Sequence, residues 1–145
     1  MYPYGKGGTG LRSGLSRLVV LITVVFIGCI VWVLYQADMG KVPAIFDWVR
    51  GLPNGDKWGH FMVFGVLTLL LNVSLKFRTV RLVFMPVYWG TLCVALFSVG
   101  EEISQYFIPS RRFDLLDLLA DAGGILTFTL ITWCLAFWLG RHPPK

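Results

Sequence analysis

Charged residues are scarce in this 145-residue chain. Asp, Glu, Lys and Arg make up 14% of the sequence and hydrophobic residues make up 56%, whereas soluble domains average about 25% charged residues. So few charges cannot cover a globule of this size with a solvated surface. The composition therefore excludes an ordinary soluble enzyme and a disordered chain. It indicates one small integral membrane domain without a separate soluble domain.

Paired cysteines and standard catalytic motifs are also missing. Cys29, Cys93 and Cys134 lie inside apolar runs without a CxxC pair, which excludes a disulfide-stapled secreted domain. The sequence contains neither HExxH nor GxSxG, the motifs of zinc proteases and of serine hydrolases. The net charge of +5 is typical of basic loops that face anionic lipid. We therefore expect membrane lipids as partners, no nucleic acid and no cofactor.

Four long apolar runs occupy residues 18–35, 58–75, 82–100 and 118–139. At 1.5 Å per residue such runs extend about 27–33 Å, which matches a hydrocarbon core of about 30 Å. Because the runs are continuous rather than alternating, they predict helices and not the strands of a barrel. The sequence thus predicts an all-α integral membrane protein, a small bundle of four transmembrane helices over 18–139. The tails would be 1–17, which is glycine-rich and expected to be flexible, and 140–145.

Basic residues are distributed unequally between the two sides of this bundle. Eight of the 13 Lys and Arg residues lie in the two tails and the connection after the second run, and five lie in the other two connections. Because basic loops stay in the cytoplasm, both termini are predicted to be cytoplasmic in a multi-pass inner-membrane protein. Connections 36–57 and 101–117 would then face outward.

The first outward connection carries a helical pattern. Pro43 suits a first helical turn, Ile45 and Val49 follow at helical spacing, and Gly51 ends the pattern. We expect a short interfacial helix between the first two spans. A plain loop whose apolar residues enter the lipid is the alternative.

Most of the remaining charge lies at the outward ends of the second, third and fourth spans. An ionisable group in mid-membrane costs about 2.5–3.5 kcal/mol, so such groups persist where they pair or line a wet cavity. Residues spaced i, i+3, i+4 and i+7 share a helix face, and each of the three helices presents one polar stripe. We expect the stripes to form one outward-facing polar pocket. Its candidate binding residues are Asp56, Lys57, His60, Glu102, Gln105, Arg111, Asp114, Asp117 and Asp121.

Two motifs in this set resemble those of the VanZ-like family of small membrane proteins. Asp56-Lys57-x-x-His60-Phe61 is similar to the family's first motif. Its second motif is similar to Glu102-x-x-Gln105 followed by Pro109-x-Arg111-x-x-Asp114-x-x-Asp117-x-x-x-Asp121-x-x-Gly124. The resemblance implies a four-span fold and the location of the site. Because the family is named after a protein linked to teicoplanin resistance, it also implies a role in the cell envelope and in antibiotic resistance. It implies no particular reaction.

One position departs from the family pattern. The family usually has Asn where this chain has Asp121. Asn is neutral and can both donate and accept, whereas an ionised carboxylate only accepts. We therefore expect that Asp121 either has an additional cation beside it or holds a proton.

Several chemistries fit the polar set. A phosphate-binding site would use the cations Lys57, Arg111 and Arg112. An intramembrane hydrolase or transferase would use Glu102 and Asp117 as paired carboxylates with His60 as the acid or base, and these three are the catalytic candidates.

A metal site built on His60, Glu102, Asp114 and Asp117 offers hard oxygens and one nitrogen. These residues lack tight ligand spacing, so we assign no metal. A purely structural network that fixes the bundle remains open.

The function that we expect is envelope-related handling of an anionic lipid or glycan group, such as a lipid-linked phosphate. An accessory subunit that packs against a larger membrane protein partner is the competing class. We hypothesise that His60, Glu102 and Asp117 converge. Arg111 would lie over Glu102, Asp114 and Asp117, whereas Glu101 would face the head groups.

Overall fold

The chain folds as a helical bundle with one small β-hairpin. A computed structural model describes residues 8–41, 49, 51–82 and 85–141. Four helices lie within these ranges: α1 (Gly8–Asp38), α2 (Gly55–Ser74), α3 (Trp89–Gln105) and α4 (Leu115–Trp138). Strands β1 (Thr79–Leu82) and β2 (Met85–Tyr88) lie between α2 and α3.

Two of the helices are long and apolar enough to cross a membrane. They are the Gly14–Asp38 part of α1 and the whole of α4. Large apolar side chains remain exposed on both, with 66% of Leu126 and Leu130 and 60% of Val24 accessible. The bundle therefore presents apolar outer faces.

The predicted helical fold is confirmed, but the hairpin is an addition to it and corrects the prediction of a helix over 82–100. Strands β1 and β2 pair antiparallel, with Thr79 opposite Tyr88 and Arg81 opposite Pro86, and helix α3 begins only at Trp89. Pro86 cannot donate to a helical hydrogen-bond ladder, and β-branched residues such as Val80 and Val87 favour strands. Hydrophobicity alone did not separate this strand from the helix that follows it.

The N-terminal region also differs from the prediction. The predicted flexible tail 1–17 is helical from Gly8 onward. Each glycine costs a helix about 1 kcal/mol relative to alanine, but extension of a helix that the apolar run has already nucleated is cheap. The short interfacial helix predicted between the first two spans falls largely on residues 42–48 and 50, which lie outside the described residues.

Helix α2 is the centre of the bundle. It contacts each of the other three helices and packs most extensively against α4. The buried apolar core joins all four helices and consists of Ile30, Phe64, Leu67, Val94 and Ile125. A second, smaller core beneath the hairpin consists of Phe77, Tyr88 and Ala136.

Buried polar side chains tie the helices together within the apolar part of the bundle. The Asn72 amide donates to Thr91 Oγ1 at 3.0 Å and to Thr132 Oγ1 at 3.3 Å, and its oxygen accepts from the Thr91 main-chain N–H at 3.0 Å. These bonds link α2 to α3 and α4. On the other side of α2, the hydroxyls of Thr23 and Ser74 are 2.8 Å apart, which attaches α1 to α2.

Glycine permits the close approach of α2 and α4. A Cβ atom built on Gly124 would overlap the main chain of Phe61, whereas one built on the adjacent Gly123 would lie 3.5 Å from the Phe61 ring, an ordinary contact. Small residues let helix backbones come this close.

We therefore expect Gly124→Ala to destabilise the bundle, because α2 and α4 must move apart to admit the methyl group. The expected loss is about 1–3 kcal/mol, typical of overpacking. Thermal unfolding of the purified protein in detergent measures it. Gly123→Ala is the matched control and should be neutral or slightly stabilising. Equal melting temperatures for the two variants would contradict the close approach.

Candidate functional site

The polar residues gather at one end of the bundle, where four segments meet. These segments are the first turns of α2, the last turn of α3, the loop 106–114 and the first turns of α4. Asp114 caps α4, and its side chain accepts from the Leu116 main-chain N–H at 2.9 Å. An N-capping carboxylate is also favoured there by the helix dipole.

The ammonium of Lys57 lies among three carboxylates. Its Nζ atom is 2.5 Å from Asp117, 2.6 Å from Asp114 and 2.9 Å from Asp56. An ammonium has three N–H donors, so these acids occupy all of them. The hydrogen bond from Lys57 holds the pKa of the Asp114 carboxyl below its usual range. Lys57 is thus engaged within the protein and is not free to hold a phosphate, which differs from the sequence-based hypothesis.

His60 and Ser98 hold the buried carboxylate of Asp121. Asp121 is fully buried; its Oδ1 lies 2.9 Å from His60 Nδ1, and its Oδ2 accepts from Ser98 Oγ at 2.6 Å. The other ring nitrogen of His60 is 3.8 Å from Asp117. His60 therefore lies where we expected an additional cation beside Asp121. Because Asp121 stands between Ser98 and His60, these two residues do not form a nucleophile and its base.

Glu102 holds the loop before α4 in place. Its side chain is fully buried; Oε1 accepts from the Asp114 main-chain N–H at 2.6 Å, and Oε2 accepts from Gln105 Nε2 at 3.1 Å. A buried carboxylate with hydrogen bonds to both oxygens is well satisfied. The contact of Glu102 with Asp114 joins it to the Lys57 cluster.

Arg111 pairs with Glu101 and not with the acids that we had assigned to it. Its Nη2 donates to Glu101 Oε1 at 2.8 Å, and its Nη1 lies 4.0 Å from Asp38 at the end of α1. The side chain of Glu101 is only 7% exposed and also accepts from Gln105. The expectation that Glu101 faces the head groups is therefore wrong. The loop returns Arg111 to the side of α3 that carries Glu101, a position that helical spacing alone does not specify.

The three residues expected to converge are linked through one network. His60 lies near Asp117, and Asp117 accepts a hydrogen bond from Lys57. Lys57 also donates to Asp114, and the main-chain N–H of Asp114 donates to Glu102. Within the described parts of the chain, no group of three or more His, Cys, Asp or Glu residues is placed to hold a metal ion.

A cavity of about 350 Å³ lies between α1 and α2 beside this network. Three of the nine predicted site residues line it, namely Asp56, His60 and Arg111, together with Glu101 and Lys41. The remaining walls are mainly apolar side chains of α1 and α2. The cavity therefore has a charged end and an apolar body.

Sequence reasoning missed four contributors to the site: Asp38, Lys41, Ser98 and Glu101. Ser98 lies four residues before Glu102 and seven before Gln105, so its place on the same stripe was available from helical spacing. Asp38 and Lys41 belong to α1 and the turn after it, and their position depends on how α1 packs, which spacing does not reveal.

Residues 18–137 match the VanZ/LLP1 family, and the chain belongs to that family. Family membership and the two apolar helices suggest a membrane protein. No curated protein and no solved structure gives a significant match.

We expect Asp121→Asn to fold as well as the wild type. The substitution keeps the shape of the side chain and removes a buried charge, and its amide can still bond with both the Ser98 hydroxyl and the His60 ring. Asp121→Leu is the contrasting variant, because it leaves both partners without their acceptor at a cost of about 1–3 kcal/mol. Thermal unfolding in detergent measures both. A loss with Asn as large as that with Leu would show that the charge itself is required.

Proposed function

We propose that the chain is a four-span protein of the inner membrane with both termini in the cytoplasm. Helices α2 and α3 contain 20 and 17 residues, which extend about 30 and 25 Å and approach the thickness of the hydrocarbon core. The exposed apolar faces of α1 and α4 support contact with lipid. The basic residues of the hairpin side, including Arg78 and Arg81, support a cytoplasmic position for that end. The polar network then lies on the outward side.

At this outward end the protein binds the anionic head group of an envelope lipid or of a lipid-linked glycan. Arg111 carries the proposal. Its side chain is 16% exposed and lines the cavity, yet within the described part of the chain its guanidinium makes one hydrogen bond, to Glu101. A guanidinium has five donors in a planar fork that matches a phosphate. Several donors therefore remain for a ligand in the cavity.

The charges around the cavity end are compatible with an added anion. Lys41 and Arg111 balance the charges of the two acids that line the same cavity, Asp56 and Glu101. Asp56 is paired with Lys57, and Glu101 is paired with Arg111 itself. A phosphate placed between Lys41 and Arg111 thus meets a balanced surface rather than an excess of free carboxylates.

Binding fits this geometry better than catalysis. The paired carboxylates of the hydrolase hypothesis, Glu102 and Asp117, do not line the cavity, and their oxygens accept from groups of the protein itself. A general acid or base has to reach the reacting group within hydrogen-bond distance. The network around Lys57 is therefore best explained as the support that positions the binding site. The family resemblance supports the further proposal of a role in the envelope with an effect on glycopeptide antibiotics.

The proposed topology has a direct test. A reporter that is active only in the periplasm should be silent when it is fused after Lys145 and active when it is inserted near Asn54. The distribution of basic residues predicts that the first position is cytoplasmic and that the second faces outward. A cytoplasm-active reporter at the same two sites is the control and should show the opposite pattern. Periplasmic activity after Lys145 would overturn the outward position of the site.

The head-group proposal is tested by Arg111→Lys. Lysine keeps the charge but loses the planar fork, so the variant should fold normally and bind phosphatidylglycerol about tenfold more weakly, as expected for one lost charged hydrogen bond. Native mass spectrometry of the purified protein with added lipid measures the change. Arg112 is exposed and, unlike Arg111, does not line the cavity, so the structure removes it from the predicted phosphate-binding cations. Arg112→Lys is therefore the matched control and should bind like the wild type.

Arg111→Ala separates stability from binding. It leaves the buried carboxylate of Glu101 without its cation, which is expected to cost about 3–5 kcal/mol of stability, and it should lower the melting temperature more than Arg111→Lys does. If Arg111→Lys binds phosphatidylglycerol like the wild type, Arg111 is a structural counter-ion and the head-group proposal fails.

A further inference from the structure

Helix α1 is attached to the rest of the bundle at two levels, and the cavity lies between them. At the deep end, Thr23 Oγ1 and Ser74 Oγ are 2.8 Å apart. At the polar end, the Ser110 hydroxyl donates to the main-chain oxygen of Asp38 at 2.6 Å. Between these attachments the cavity extends from Ala37 to Phe26 on α1 and from Gly55 to Phe64 on α2.

The depth of this cavity corresponds to one leaflet of a bilayer. Ala37 lies eleven positions after Phe26, a distance of about 16.5 Å along the helix axis. Half of a hydrocarbon core is about 15 Å. With the polar end at the outer head groups, the apolar end reaches the bilayer midplane. The walls over this depth are formed mainly by apolar residues such as Ile30, Val33 and Val63.

We propose that the cavity holds one acyl chain of an outer-leaflet phospholipid, whose phosphate contacts Arg111 and Lys41. This inference rests on the proposed function, because it needs both the outward orientation and the head-group site. It adds the class of ligand and the location of its hydrocarbon chain. The match between cavity depth and leaflet thickness favours an acyl chain, because a long polyprenyl chain exceeds the thickness of one leaflet. The volume of about 350 Å³ lies at the lower end of the range for ligand pockets, about 300–1,000 Å³.

Gly59 provides a way to fill the cavity without disturbing the helices. It lines the cavity, and a Cβ atom built on it meets no other atom within 4 Å. Gly59→Leu therefore places a side chain where the acyl chain would lie. Replacing this helical glycine with leucine should not destabilise α2, because leucine has the higher helix propensity. Gly28 on α1 is equally open but does not line the cavity, so Gly28→Leu is the matched control.

The test uses the full chain in vesicles that contain phosphatidylglycerol with a photoactivatable diazirine on one acyl chain. After irradiation, mass spectrometry should locate cross-links on the cavity-facing residues of α1 and α2. Cross-linking should fall about tenfold in Gly59→Leu, since overpacking of this size disfavours occupancy, and it should be unchanged in Gly28→Leu. Equal cross-linking in both variants, or cross-links spread evenly over the outer faces of α1 and α4, would overturn the acyl-chain site.

Two further binding measurements distinguish a failure of the acyl-chain site from a failure of the head-group site. If a polyprenyl phosphate binds in an Arg111-dependent way and Gly59→Leu leaves its binding unchanged, the head-group site stands and the acyl-chain site is wrong. If diazirine-labelled diacylglycerol, which lacks the phosphate, labels the cavity as strongly as phosphatidylglycerol does, the phosphate contact is wrong. A second copy of the chain is the other occupant to test. If the cavity residues form cross-links between two copies of the chain rather than with lipid, a second copy occupies the cavity and the proposal is wrong.

Discussion

The ion cluster around Lys57 is the contact on which the polar end of the molecule depends. A lysine from the first turn of α2 reaches two acids that begin α4, Asp114 and Asp117. A charge that is removed from water needs close opposite charges and hydrogen bonds to compensate for lost hydration. The three carboxylates around the Lys57 ammonium provide these compensating contacts. They also fix the start of α4 against α2. The loop before α4, and with it Arg111, takes its position from this junction.

The other polar contacts extend from that junction and make the site one connected unit. Asp117 also approaches His60, which holds the buried Asp121, and the main chain of Asp114 donates to the buried Glu102. Each of these acids is therefore connected to another acid of the network, either through a shared side-chain partner or through the main chain. A substitution in one member is expected to move the others, because residues in one network are energetically coupled. Double-mutant cycles, not single substitutions, are the appropriate measure of each contribution.

Helical spacing was sufficient to predict which end of the bundle carries the polar network. The stripes at i, i+3, i+4 and i+7 brought His60, Asp117 and Asp121 together. Helical spacing was not sufficient where two adjacent acids could each pair with the same cation. Glu101 and Glu102 differ by one position, and only the path of the loop decides that Arg111 contacts Glu101. The hairpin was missed for a related reason, since an apolar run does not by itself distinguish a strand from a helix.

The difference between Lys57 and Arg111 explains why the site can support a ligand at one place and not at another. Both are cations at the same end of the bundle, and both are largely buried. Lys57 has as many donors as it has carboxylates around it, so a ligand would have to displace an internal ion pair. Arg111 has five donors and a single hydrogen-bonded acid within the described residues. It also lies at the edge of the cavity, where an anion can approach without breaking the cluster that fixes α4. Lys57, whose three donors are all occupied, therefore holds α2 and α4 together. Arg111, which has more donors than its one hydrogen bond to Glu101 uses, remains available for binding a ligand.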